Sequence, residues 1–208
     1  MDTSTTAAVV NLTATQTTAS GWIAAYPGNG TLPTTSNLNF DAGQTTSNLA
    51  VIPVDSSHTI KFYNRAGQTA IIADVLGTFS NANPIGSFYI PVTPTRLLDT
   101  RSGLGTTKQR LGANSTLRIK VTDTHGIPAN ATAVIVNLTG TGPTSATYLT
   151  AYGSGSTPSA SNINLVPGQT RPVLATVPIG ADGCITVYNA VGSVDVIADL
   201  EGYYSLPQ

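Results

Sequence analysis

Short β-branched and aliphatic runs, each closed by Gly, Pro, Asn or Ser, recur along the whole chain and set its organisation. Val9, Val10 and Leu12 form the first, followed by Trp22 and Ile23, then Leu38 and Phe40. Leu49 to Val54, Ile60 to Tyr63 and Ile71 to Val75 continue the series. Runs this short, bounded by turn formers, predict strands. Polar and apolar positions alternate cleanly in Ile60-Lys-Phe-Tyr63, as in a strand with one wet face. Alternation blurs in Val194-Asp-Val-Ile-Ala-Asp-Leu200, which predicts an inner strand covered on both sides. No stretch keeps the helical period, so no helix is expected.

The pattern occurs twice. Ala7-Ala-Val-Val-Asn-Leu-Thr13 matches Ala133-Val-Ile-Val-Asn-Leu-Thr139, and Ser36-Asn-Leu-Asn-Phe40 matches Ser161-Asn-Ile-Asn-Leu165. Gly43-Gln-Thr45 then meets Gly168-Gln-Thr170, Tyr63-Asn64 meets Tyr188-Asn189, and Ile72-Ala-Asp74 meets Ile197-Ala-Asp199. The copies lie 126 residues apart early and 125 apart later, so one loop residue separates them. Matches in one order and one register indicate a duplication. The second copy therefore repeats the strands at Val134 to Leu138, Tyr148 to Tyr152, Ile163 to Leu165, Val173 to Ile179, Ile185 to Tyr188 and Val194 to Leu200. Asp182-Gly183 marks a tight turn. Asn64-Arg-Ala-Gly67 and Asn189-Ala-Val-Gly192 look like hairpin loops of one design.

The copies differ in what precedes them. The second follows a long segment, Phe88 to Ile127, with further strands expected at Phe88 to Val92 and Thr116 to Val121. The first begins almost directly at its Ala-Val-Val strand. The expected fold is all-β: two tandem antiparallel β-sandwich modules, the first lacking its N-terminal strands. The expected division is a truncated module over 1–83, a connector carrying the leading strands over 84–128, and the rest of the second module over 129–208. A missing pair of strands leaves an edge that is an aggregation hazard unless covered. The N-terminus, the connector or a neighbouring subunit could cover it.

Composition narrows the function classes. Only 9% of the 208 residues are charged, against roughly 25% in an average soluble domain. Net charge is −1, so no basic field for nucleic acid exists. The little charge present is unevenly spread. Segment 84–128 holds Arg96, Arg101, Lys108, Arg110, Arg118 and Lys120 against Asp99 and Asp123, a net of +4; the flanking segments carry −2 and −3. A positive strap can lie against either negative module or reach an anionic partner. Lys108, Arg110, Arg118 and Lys120 are the candidate interface residues. No apolar run reaches the ~18 residues of a membrane span. Met1-Asp-Thr-Ser-Thr-Thr6 lacks the basic and apolar regions of a secretory signal. The single cysteine, Cys184, forbids an intrachain disulfide and reads as a small core filler.

Candidate chemistry concentrates at Pro91-Val-Thr-Pro-Thr-Arg-Leu-Leu-Asp-Thr-Arg101. Pro91 and Pro94 forbid a helix, so this stretch runs extended or turns. Arg96, Asp99 and Arg101 then form an internal clamp on the first reading, or a ligand-binding arginine pair on the second. Asp74 and Asp199 are shared by the copies and read as acids that cap a turn or pair with an arginine such as Arg96. They belong to different modules, unlike the closely spaced carboxylates of a glycosidase. His58 and His125 have no partners at metal-ligand spacing, so no metal or cofactor is expected. Trp22, Tyr26, Tyr148 and Tyr152 fall on matching strands, where such rings either stack on sugars or pack as filler.

The Pro91 to Arg101 motif, with Gly126-Ile-Pro128, Val136-Asn-Leu-Thr139 and the closing Ile197-Ala-Asp-Leu-Glu-Gly-Tyr-Tyr204, resembles a β-rich repeat. That repeat ends secreted and cell-wall-associated actinobacterial proteins and is used in virion proteins of phages infecting those bacteria. The full pattern covers about 84–205, and a truncated copy covers 4–80. The resemblance implies a β fold and no settled activity, since enzymes with this module carry catalysis on other domains. The expected role is then a non-enzymatic virion protein, a capsid decoration or other head or tail surface component. Its partners would be a major shell protein or neighbouring subunits in a homo-oligomer such as a trimer. The alternative is a wall- or glycan-binding module of a secreted protein, with bacterial wall polysaccharide as ligand.

Overall fold

The computed structural model describes residues 3–82 and 86–207, and every regular element among them is a β-strand. The chain divides into two compact units, Met1–Ile85 and Gly86–Gln208. The boundary expected at 83/84 lies outside the described residues, and from Gly86 onward the expected connector falls within the second unit.

The first unit contains β1 (Thr5–Thr15), β2 (Gly21–Pro27), β3 (Leu38–Phe40), β4 (Thr46–Pro53), β5 (Ile60–Asn64) and β6 (Ala70–Ser80). They form two three-stranded antiparallel sheets, ordered β4-β1-β6 and β3-β2-β5. Val10, Leu12 and Ala14 of β1, Ile23 and Ala25 of β2, Leu38 and Phe40 of β3, and Ala50 and Ile52 of β4 meet between them as one core. β5 and β6 add only the partly buried Ile60 and Ile71.

The second unit repeats this plan with one more strand on each sheet. It contains β7 (Phe88–Asp99), β8 (Ser115–Lys120), β9 (Ala131–Thr141), β10 (Thr147–Tyr152), β11 (Ile163–Leu165), β12 (Thr170–Pro178), β13 (Cys184–Asn189) and β14 (Asp195–Ser205). The sheets run β12-β9-β14-β7 and β11-β10-β13-β8. β14 lies between β9 and β7, and Val196, Ile197 and Ala198 are buried in succession, so both faces are covered along this part of the strand, as its blurred alternation predicts. Six buried apolar residues come from the leading segment: Leu97, Leu98, Leu111, Ile119, Val121 and Ile127. β13 and β14 are thereby sealed, with Ile185, Val187, Val196, Ala198 and Leu200 all fully buried.

β7 tolerates Pro91 and Pro94 because it is an edge strand, hydrogen-bonded on one side only. Opposite Pro91 stands Gly202, beside a bulge at Glu201. A Cβ on Gly202 would lie 2.4 Å from the Tyr89 ring, so only glycine admits that ring. The Tyr89 hydroxyl donates to the Glu201 carbonyl at 3.1 Å.

One expectation is corrected. Asn64 to Gly67 and Asn189 to Gly192 are not hairpin loops, because β5 pairs with β2 while β6 pairs with β1, and β13 and β14 likewise lie in different sheets. Each loop crosses between sheets as an arch. Gly67 and Gly192 take the same left-handed conformation, φ +60° and +61°, and the asparagine side chain bonds the carbonyl at the far end of each arch.

Candidate functional site

Arg96, Asp99 and Arg101 form one network with Asp199. Strand alternation and the bulge in β7 place Arg96 opposite Asp199, and its Nε and Nη2 donate to the two carboxylate oxygens at 2.7 and 3.1 Å. Asp99 ends the strand, buried, and accepts Nε and Nη2 of Arg101 at 2.9 and 2.7 Å. It also accepts the Arg101 backbone N–H at 3.0 Å and Arg96 Nη1 at 3.4 Å. The Arg101 side chain is the main reason the Asp99 carboxyl is held at about 2, with burial opposing it. Both guanidiniums are engaged by carboxylates while roughly half of each side chain stays exposed.

Three of the four strap cations bind their own unit. Arg110 donates Nη2 to the carbonyls of Gly142 and Ser193 and places Nε 3.3 Å from Asp195. Arg118 pairs with Asp182, and Lys120 donates to Thr122 Oγ1 and the Asp182 carbonyl at 2.9 and 3.1 Å. Lys108 is exposed. The negative partners, Asp182 and Asp195, belong to the second module, against which the positive strap folds back.

The aromatic candidates separate. Trp22 stacks at a tilt on Tyr63, ring centroids 5.4 Å apart, and Tyr148 does the same on Tyr188 at 6.1 Å. The two pairs occupy matching positions of the duplication. Tyr63 and Tyr188 were visible in sequence only as half of the shared Tyr-Asn dipeptide. Tyr26 is half-buried, whereas Tyr152 is 9% exposed with its hydroxyl on Thr157, so Tyr152 offers no ring face to a sugar. Tyr152 follows Tyr148 by four residues in an unbroken register and so shares its face of β10; it is buried there beside Thr157 of the following loop, not by pointing into the core.

The largest difference between the units is an edge. Val75, aligned with the fully buried Leu200, is 55% exposed. Phe62 is 38% exposed where Val187 is fully buried, and Ala73 is exposed where Ala198 is sealed. Among the described residues of the first unit, no strand occupies the positions that β7 and β8 fill in the second. Among the described residues, Asp74 lies within β6 instead of capping a turn and meets no arginine, contrary to expectation. Its side chain bonds Asn11, and burial pushes its carboxyl up from the usual carboxylate value. The arginine-bearing strand that engages Asp199 has no counterpart here. Asn64 tells the same story. Its Oδ1 is buried without a partner, whereas Asn189 accepts from Thr147 and donates to the carbonyls of Leu111 and Gly112 in the leading segment.

His58 sits at a left-handed turn position, φ +58°, aligned with Gly183 at +75°, and its ring faces the Thr3 carbonyl. Cys184 is half-buried at the first position of β13, short of the core position expected for it, because it directly follows the Asp182-Gly183 turn. No group of three metal-ligating side chains occurs among the described residues.

No protein-family model matches the chain, and no curated protein matches it. Among solved structures, it aligns with the crystal structure of the infectious bursal disease virus VP2 subviral particle. That alignment has 12% identity over 98% of this chain and 67% of that chain, with a TM-score of 0.14. So low a score carries no argument about function.

Proposed function

We propose that this protein is a non-enzymatic structural component of a phage virion, a capsid decoration or other head or tail surface protein. It attaches to a major shell protein or to neighbouring subunits as a homo-oligomer such as a trimer. The observation that carries this reading is the open edge of the first unit, where Val75 and Phe62 are exposed at positions that the duplicated module buries. A contact surface accounts for such an edge, since a long apolar edge left bare invites aggregation. The resemblance of Pro91 to Arg101 to virion modules supports the same reading.

The test is to image particles from the source by electron cryo-microscopy while measuring the oligomeric state of the purified chain by native mass spectrometry. Density for the two units on the particle surface, with the first unit's edge in contact, supports the proposal. A monomer absent from particles sinks it.

A second reading, a wall- or glycan-binding module, is favoured by one observation. The Trp22–Tyr63 and Tyr148–Tyr188 pairs recur at equivalent sites on both units, and Tyr148 is 38% exposed. Retention on wall polysaccharide that falls with Trp22→Ala or Tyr148→Ala would favour it.

A further inference from the structure

The first unit is not merely short of two strands; it retains the features that, in the second unit, receive them. Gly202 admits the Tyr89 ring, and Gly77, its counterpart, has nothing within 4 Å of the position a Cβ would take. Asp199 takes the bidentate guanidinium of Arg96, while Asp74, its counterpart, forms no ion pair among the described residues. Both carboxylates stand opposite an asparagine of the central strand, Asn11 or Asn137. A bulge at Leu76 matches the one at Glu201, so the receiving edge has the same shape. Leu97 and Leu98 fill the second core above Ala198 and Leu200, and the aligned Ala73 and Val75 are exposed.

We propose that the β6 edge is a strand-acceptor site for an extended segment of a partner protein. That segment adds antiparallel to β6, sets an aromatic ring over Gly77, places an arginine on Asp74, and covers Ala73 and Val75 with the apolar residues that follow. Main-chain pairing supplies adhesion and the side-chain positions supply selection. Arginine is specified over lysine because the aligned carboxylate, Asp199, is gripped in fork geometry through both oxygens. A partner other than this chain is the occupant, because β7 of this chain is already sealed into its own unit, with Leu97 and Leu98 3% and 0% exposed. The inference goes beyond the virion reading: a wall-binding protein with this edge would take the same segment.

The probe is a synthetic peptide of residues 88–122, which carries both missing strands, titrated into the full chain by calorimetry. One peptide is expected to bind per chain and to slow amide hydrogen exchange over residues 70–80. Arg96→Gln in the peptide and Asp74→Asn in the chain should each weaken binding at least tenfold, and the two together by no more than either alone. Asp199→Asn in the chain should leave affinity unchanged. Absence of binding overturns the proposal. Loss of binding with Asp199→Asn instead of Asp74→Asn also overturns it, since the peptide is then exchanging into the second unit. A free chain that is already a dimer with protected 70–80 amides overturns it too, the edge being filled by a second copy. Particle imaging is independent of each of these outcomes, so either reading can fail alone.

Discussion

The two units are a controlled comparison within one chain: the same six strands, with and without a leading segment. Where that segment is present, β13 and β14 are interior, Asn189 is fully bonded and Asp199 is paired with Arg96. Where no counterpart lies against the sheets, the aligned Phe62 and Val75 are exposed and Asn64 keeps a buried oxygen without a partner. Burial of a position is therefore not a property of its own strand. It is conferred by the neighbour.

Aligned substitutions should separate the units most sharply in their cores. Leu200→Ala removes a fully buried side chain and should cost the second unit about 3 kcal/mol. Val75→Ala, at 55% exposure, should change the first by no more than about 0.5 kcal/mol. The two unfolding transitions can be followed separately in urea. Trp22 is the single tryptophan and reports the first unit, while a thiol label on Cys184, the single cysteine, reports the second. Equal losses in the two units would show that both edges are equally covered in solution.

Asp99→Ala should follow closely. It removes a buried carboxylate that accepts four hydrogen bonds and should lower the second transition by about 2–3 kcal/mol, leaving the tryptophan-reported transition in place. An unchanged second melting curve would refute the clamp. Asn189→Ala comes next, at about 2 kcal/mol, because it takes the acceptor from the buried Thr147 hydroxyl and a donor from the Leu111 and Gly112 carbonyls, Leu111 keeping only the Val194 N–H. Asn64→Ala should cost clearly less, a contrast readable in the same denaturation series.

The smallest effect is the pH response, and its sign differs between the units. The Asp99 carboxyl is held at about 2, below its ordinary 3.8, so its contribution is complete above about pH 4 and disappears as pH falls towards 2. The exposed guanidiniums screen the pair, and about 1 kcal/mol should be lost from the second unit. Asp74 is pushed the other way by burial, so its protonation relieves the first unit over the carboxylate range. Acidification should therefore bring the two midpoints closer. Asp74→Asn should remove the first unit's share of that convergence, and Asp99→Asn the second's.

The strand pattern, the duplication and the missing pair of strands could all be read along the chain. Period-two runs and turn residues are local signals, and a repeat in register carries its own confirmation. The inner character of β14 was legible too, since a stretch covered on both faces, as Val196 to Ala198 is, loses its polar face. Which strands share a sheet was not legible. The arches at Gly67 and Gly192 have the residues of hairpin turns, and only the pairing of β6 with β1 and of β14 with β9 shows that they change sheets. The pairing of Asp199 with Arg96 is among the expectations, but Asp74 in the identical tripeptide has a different partner, and Tyr148 and Tyr152 share a face of β10 although only Tyr152 is covered. Sequence specifies what each strand can present; whether a neighbouring strand arrives to cover it, and so whether a carboxylate is clamped or left waiting, is decided by long-range pairing.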